Sequence, residues 1–174
     1  MGKNYKTVKP VKQVDDMACW AAALEWWLKY KSPDLPISIQ WDLMTEFKDE
    51  IYYPEDDNDP SFGGLSDAGM LNILNASRFK LGTAYKNGAS VTFEFLSEKL
   101  KKGPAIVAFL DLAAAGGSPG ETRLNHVNVV IKAKKKDNGT VYLTVMEPRN
   151  GTFEKYRTVS YYQNGDVIIG WSKN

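Results

Sequence analysis

Residues 17–31, MACWAAALEWWLKYK, hold three tryptophans, two leucines and four alanines with no glycine or proline. The pattern predicts a helix, and apolar residues lie nearly all the way round it, so it belongs in the middle of a fold and not on a surface. A helix of that kind demands cover on several sides from the rest of the chain. With 174 residues, 43 % of them apolar and 25 % charged, the chain can supply that cover as one domain spanning 1–174. Asp15 or Asp16 stands where an N-cap is expected, and SPDLP (32–36) ends the helix.

The remaining elements change in texture along the chain. SIQWDLMTEFKDEI (38–51) predicts a second helix with Ser38 as cap, and YYPEDDNDPSFGG (52–64) an exposed loop. LSDAGMLNILNASRF (65–79) predicts a third helix started by Ser66 or Asp67, and Thr92 opens a fourth over FEFLSEKLKKG (93–103). Strands follow. PAIVAFL (104–110) is a short apolar run of the buried kind, while HVNVVIKAKKK (126–136) and TVYLTVMEP (140–148) flank Asp137-Asn138-Gly139, a hairpin signal. FEKYRTVSYY (153–162) and DVIIGW (166–171) are joined at Gln163-Asn164-Gly165. Helices first and an antiparallel sheet after them make an α+β layout. AAAGGSPGE (113–121), with Gly116 and Gly117, reads as a loop able to close over a site near His126.

Composition narrows the partners. Twenty-two basic and 21 acidic residues leave a net charge of +1, which points to neither a nucleic acid nor a membrane. No stretch approaches membrane-spanning length. The N-terminus, MGKNYKTVKPVKQ, has lysines without an apolar run behind them, so a cytosolic start and a removed leader both fit it. One cysteine excludes an internal disulfide and a multi-cysteine zinc site. Glu55, Asp56, Asp57 and Asp59 lack the glycine and distal glutamate of a calcium loop and read as a solvated rim that favours basic substrate side chains. Lysines 134–136 read as a solvated turn.

The single cysteine, Cys19, is expected at the N-terminal end of the first helix, where unpaired N–H groups and the helix dipole favour a thiolate and lower its pKa. A thiol nucleophile needs a base, and His126 is the chain's one histidine. The base needs an orienting acceptor. Hairpin pairing places His126 opposite the neighbourhood of Asn150, with Glu147 also in reach. Gln13, six residues before Cys19, can join the Cys19 backbone N–H in holding an oxyanion.

Gln13, the Cys19-Trp20 pair heading an Ala-rich helix, Gly63-Gly64-Leu65, Gly103-Pro104, His126 before VNVVIKA, and Glu147-Pro148-Arg149-Asn150-Gly151 follow one another in a set order. In this the chain resembles the papain-like cysteine peptidases, closest to the bacterial branch of C39-like peptidases and avirulence-type effector proteases. The resemblance implies a papain-like fold and cleavage of amide bonds in a protein or peptide substrate. The roles it implies are Cys19 as nucleophile, His126 as base, Glu147 as orienting residue and Gln13 as oxyanion donor, with no cofactor or metal. It also implies a bacterial source and a secreted or delivered effector, and a monomer is the default expectation. The family carries Asp or Asn where this chain has Glu147, so the geometry must shift by about one methylene, or Asn150 takes the role. A deamidase, a transglutaminase-like acyl transferase or a cell-wall amidase uses the same Cys-His pair. A papain-fold binding module with an impaired triad is the alternative outside enzymes.

Overall fold

A computed structural model describes residues 5–36, 39–51, 64–110 and 124–173. The apolar helix is α1, Cys19–Lys31, and it is enclosed as its composition demands: Trp20, Trp26 and Trp27 are buried together with Ala21, Ala22, Ala23 and Leu24. Trp26 stacks on Tyr30 with ring centroids 5.7 Å apart, and Trp27 Nε1 donates to the Pro104 carbonyl at 3.2 Å. The expected acidic cap is not there. The helix starts later than the pattern suggested, with Ala18 at the N-cap and no side chain capping it, because Asp15 Oδ1 is engaged one turn earlier by the Met17 N–H at 2.8 Å.

α2 covers Gln40–Glu46 and is followed by a 3-10 turn at Lys48–Glu50, so the second helix is shorter than predicted; Ser38 lies outside the described residues. α3, Asp67–Asn75, begins as expected with the Gly69 N–H donating to Ser66 Oγ at 3.1 Å. α4, Phe93–Leu100, begins in the same way with the Phe95 N–H donating to Thr92 Oγ1 at 3.2 Å.

The strands are β1 (Leu81–Asn87), β2 (Ala105–Leu110), β3 (Leu124–Lys135), β4 (Val141–Glu147), β5 (Thr152–Thr158) and β6 (Asp166–Ser172). They form one sheet in the order β1-β6-β2-β3-β4-β5, with every neighbouring pair antiparallel. The α+β class holds. The strict order of helices before strands does not, because β1 lies between α3 and α4. β1 carries a glycine, an asparagine and a half-exposed face, which leave little β signal in its sequence.

Helices cover both faces of the sheet. Ile106, Ala108, Val127, Val129 and Ile168 pack with α1 and α3, whereas Val107, Val130, Val145 and Ile169 pack with Leu96 of α4. This two-sided burial explains why PAIVAFL reads as a continuous apolar run. The hairpin between β3 and β4 turns where predicted, but only Gly139, at φ 83°, uses the left-handed region. After β5 a 3-10 turn at Val159–Tyr162 takes the chain away from its own hairpin, and β6 inserts between β1 and β2.

Candidate active site

Cys19 is the first residue of α1 and is 8 % exposed. Burial pushes its thiol up to about 11, against hydrogen bonds from the backbone of Val127 and of Trp20 that pull it down; the charge of Glu147 raises it and that of Arg149 lowers it. The lowering expected from the helix start is therefore corrected. The helix N-terminus does reach the sulfur, through Trp20, but the loss of water around a thiolate outweighs it.

His126 is buried near the start of β3. Phe109 pairs with His126 while Leu110 pairs with Leu124, so Asn125 is an extra, bulged residue just before the histidine. The imidazole meets the Phe109 ring edge-on, with centroids 5.7 Å apart. Val127 points to the α1 face and its backbone touches the Cys19 sulfur. Cys19 and His126 are thus neighbours through the backbone of β3, and no hydrogen bond joins the thiol to the ring among the described residues.

His126 Nε2 and Glu147 Oε1 form a close hydrogen bond. The same Oε1 accepts the Arg149 N–H at 3.1 Å, and Oε2 accepts Arg157 Nη2 at 3.0 Å. Burial would raise the Glu147 carboxyl, but the hydrogen bond and charge of His126, the Arg149 N–H and the charge of Arg157 together hold it at about 2. The simple hairpin register put Asn150 opposite His126. A bulge at Ile131 shifts that register by one residue, and Glu147 reaches the ring diagonally on the same face, while Asn150 is exposed.

Gln13 lies in an extended strap before α1. Its backbone N–H donates to the Pro148 carbonyl at 2.9 Å, which ties the strap to the end of β4. Its Nε2 donates to the Asp15 carbonyl at 2.8 Å, using one of two amide hydrogens. Gly151 makes this approach possible, with φ 62° and a position where a Cβ would stand 2.8 Å from Lys12 Cβ. Gly151→Ala is expected to cost about 1–2 kcal/mol from the left-handed backbone, with a further loss from the strap, measured by urea unfolding.

Arg157 was not singled out from the sequence. It pairs with Glu147 and with Glu154 and lies 4.2 Å over the Tyr161 ring. In a regular strand Glu154 and Arg157 would face opposite sides. Tyr156, at φ 70° and 70 % exposed, is an extra residue in β5 that turns Arg157 back to the face of Glu154 and Glu147. The hairpin ending in Glu147 was a signal that a basic residue of the next strand could meet it, but the bulge was not legible. Tyr162 completes the cluster by donating to Asn128 Oδ1 at 2.7 Å.

Glu55, Asp56, Asp57, Asp59, Gly63, Gly116 and Gly117 lie outside the described residues. Among the described residues no group of three or more His, Cys, Asp or Glu is placed to hold a metal ion, and no helix is long and apolar enough to cross a membrane.

The site thus sets a thiol at a helix head against a strand whose histidine is paired to a carboxylate, and comparison with known proteins gives the family of the chain. The model of the Peptidase_C39 like family matches residues 5–169, and the chain belongs to that family. Among solved structures it is similar to the "putative C39-like peptidase from Bacillus anthracis", with 14 % identity, a TM-score of 0.56, and coverage of 97 % of this chain and 96 % of that one. At that identity the likeness speaks for the fold. No curated protein matches the chain.

Proposed function

We propose that the chain is a cysteine hydrolase that cleaves amide bonds, peptide bonds foremost. The observation that carries this is the buried His126–Glu147 pair at the start of the strand whose next residue, Val127, contacts the Cys19 sulfur. With the thiol protonated at rest, His126 Nδ1 takes its proton as the sulfur attacks the carbonyl, and Nε2–H donates to Glu147. The oxyanion is held by the Cys19 backbone N–H, which has no partner within the helix, and by the second amide hydrogen of Gln13. His126 then protonates the leaving amine as the C–N bond breaks, and water, deprotonated by His126, cleaves the thioester. A deamidase or other acyl transferase would use the same steps with a different substrate.

Two measurements test the reading. Incubation with a peptide mixture is expected to release new amino termini with the wild type and none with Cys19→Ala. The rate of Cys19 alkylation by iodoacetamide at pH 7 is expected to fall in His126→Ala, while the alkaline limb toward pH 11 persists. A binding module is the second reading, favoured by the buried, protonated thiol that makes no hydrogen bond to His126. It would be supported by an alkaline limb alone, unchanged by His126→Ala, together with no cleavage.

A further inference from the structure

Residues 9–13 of the strap that carries Gln13 lie in neither a helix nor a strand. Val8 and Val11 anchor its start on the core, and beside it lies a cleft of about 450 Å³ lined also by Glu25, Lys29 and Gln40, so packing alone does not fix the stretch around Gln13. Directional bonds hold that stretch, and two of them come from one side chain.

Gln40, the first residue of α2, is 2 % exposed. Its Oε1 accepts the Val14 N–H at 3.0 Å and its Nε2 donates to the Lys12 carbonyl at 3.0 Å. Those are the backbone groups on either side of Gln13. The amide therefore pairs with the strap as a neighbouring strand would, and it does so from the side opposite the Pro148 carbonyl, which accepts the Gln13 N–H at 2.9 Å. Gln40 spends both of its polar atoms on another segment and none on capping its own helix, where Ile39 is the N-cap and no side-chain bond is made. Leaving the buried Gln40 amide unpaired would be costly, so these two bonds favour one position of the strap.

We infer that Gln40 is a positioning residue that clamps residues 12–14 and thereby sets the Gln13 amide where an oxyanion develops. This rests on the reading of Gln13 as an oxyanion donor. A donor in such a role works only when its position is established before charge develops. The clamp ties that position to α2, an element that holds none of the proposed reacting groups.

The test compares two reactions of the same sulfur. With p-nitrophenyl acetate, sulfur attacks the acetyl carbonyl, a tetrahedral oxyanion forms, and the C–O bond breaks to release p-nitrophenolate and leave a thioester. With iodoacetamide, sulfur displaces iodide at a saturated carbon and no oxyanion forms. After subtraction of the Cys19→Ala background, Gln40→Met is expected to slow acylation by about tenfold or more while alkylation moves less than twofold. In a Gln13→Ala background, Gln40→Met should add nothing further, because its effect runs through Gln13. Gln40→Glu keeps the side-chain length and the acceptor for Val14 but loses the donor to Lys12, and should give a smaller loss of the same kind. Near-UV circular dichroism shows that each variant is folded, and the Gln40→Glu result decides if Gln40→Met is not. The inference is overturned if acylation by the folded variants is unchanged, if acylation and alkylation fall together, or if the Gln40 effect persists in full without Gln13. A normal acylation rate in Gln13→Ala would instead sink the oxyanion reading itself.

Discussion

His126→Ala is expected to lower amide hydrolysis by about a thousandfold or more in kcat/KM, and Cys19→Ala to abolish it. The double variant should be no worse than Cys19→Ala alone, because nucleophile and base act as a unit. The effect is large because the thiol cannot ionise unaided near neutrality: burial holds it near 11, so almost all nucleophile formed at pH 7 depends on a base that takes the proton during attack. Stability should change far less than activity. Without the imidazole, the Glu147 carboxylate still accepts the Arg149 N–H at 3.1 Å and Arg157 Nη2 at 3.0 Å, so no buried charge is left unpaired. Kinetics against a cleaved peptide and thermal unfolding of the same samples check both halves. A residual activity above about a tenth would remove His126 from the role of base.

Glu147→Ala is expected to damage activity and stability together. It strips His126 Nε2 of its acceptor and takes from the half-buried Arg157 one of its two carboxylate partners, leaving Glu154. Breaking a buried pair from one side costs about 3–5 kcal/mol, and the loss of imidazole orientation should lower turnover by about a hundredfold. The pH dependence follows from the sign of the shift. The folded carboxyl titrates at about 2, below its ordinary 4.5, so its contribution to stability is complete above about pH 4.5 and is lost as the pH falls toward 2. Glu147→Gln should flatten that part of the melting-temperature profile while keeping an acceptor for His126. An unchanged acid limb in Glu147→Gln would show that the carboxylate is not held by this network.

Arg157 also bears on the departure from Asp or Asn at the position of Glu147. A longer side chain has one more rotatable bond, and here its far oxygen is pinned by Arg157 while the near one meets His126 and the Arg149 N–H. The added methylene is accommodated by a restraint from β5 that depends on the bulge at Tyr156.

Local patterns carried much of the architecture. The central helix, the Ser66 and Thr92 caps, the buried strand over 105–110 and the turn at Asn138-Gly139 are all settled within a few residues, by side-chain periodicity, capping chemistry and turn preference. β1 escaped notice because its alternation is weak until β6 pairs with it. The reactive residue types and their order along the chain were also legible, since one cysteine and one histidine leave no competitors.

What the sequence by itself determined is therefore most of the elements, the α+β class and the candidate groups. The tertiary structure alone decided how those groups stand to one another. Bulges at Asn125, Ile131 and Tyr156 each turn side chains to another face or shift a register, and a one-residue slip in a period of two is invisible until strands pair. Desolvation likewise belongs to the assembled fold. The helix head favours a thiolate in any sequence, but the enclosing core excludes the water that a thiolate needs, and in this protein the core prevails over the dipole.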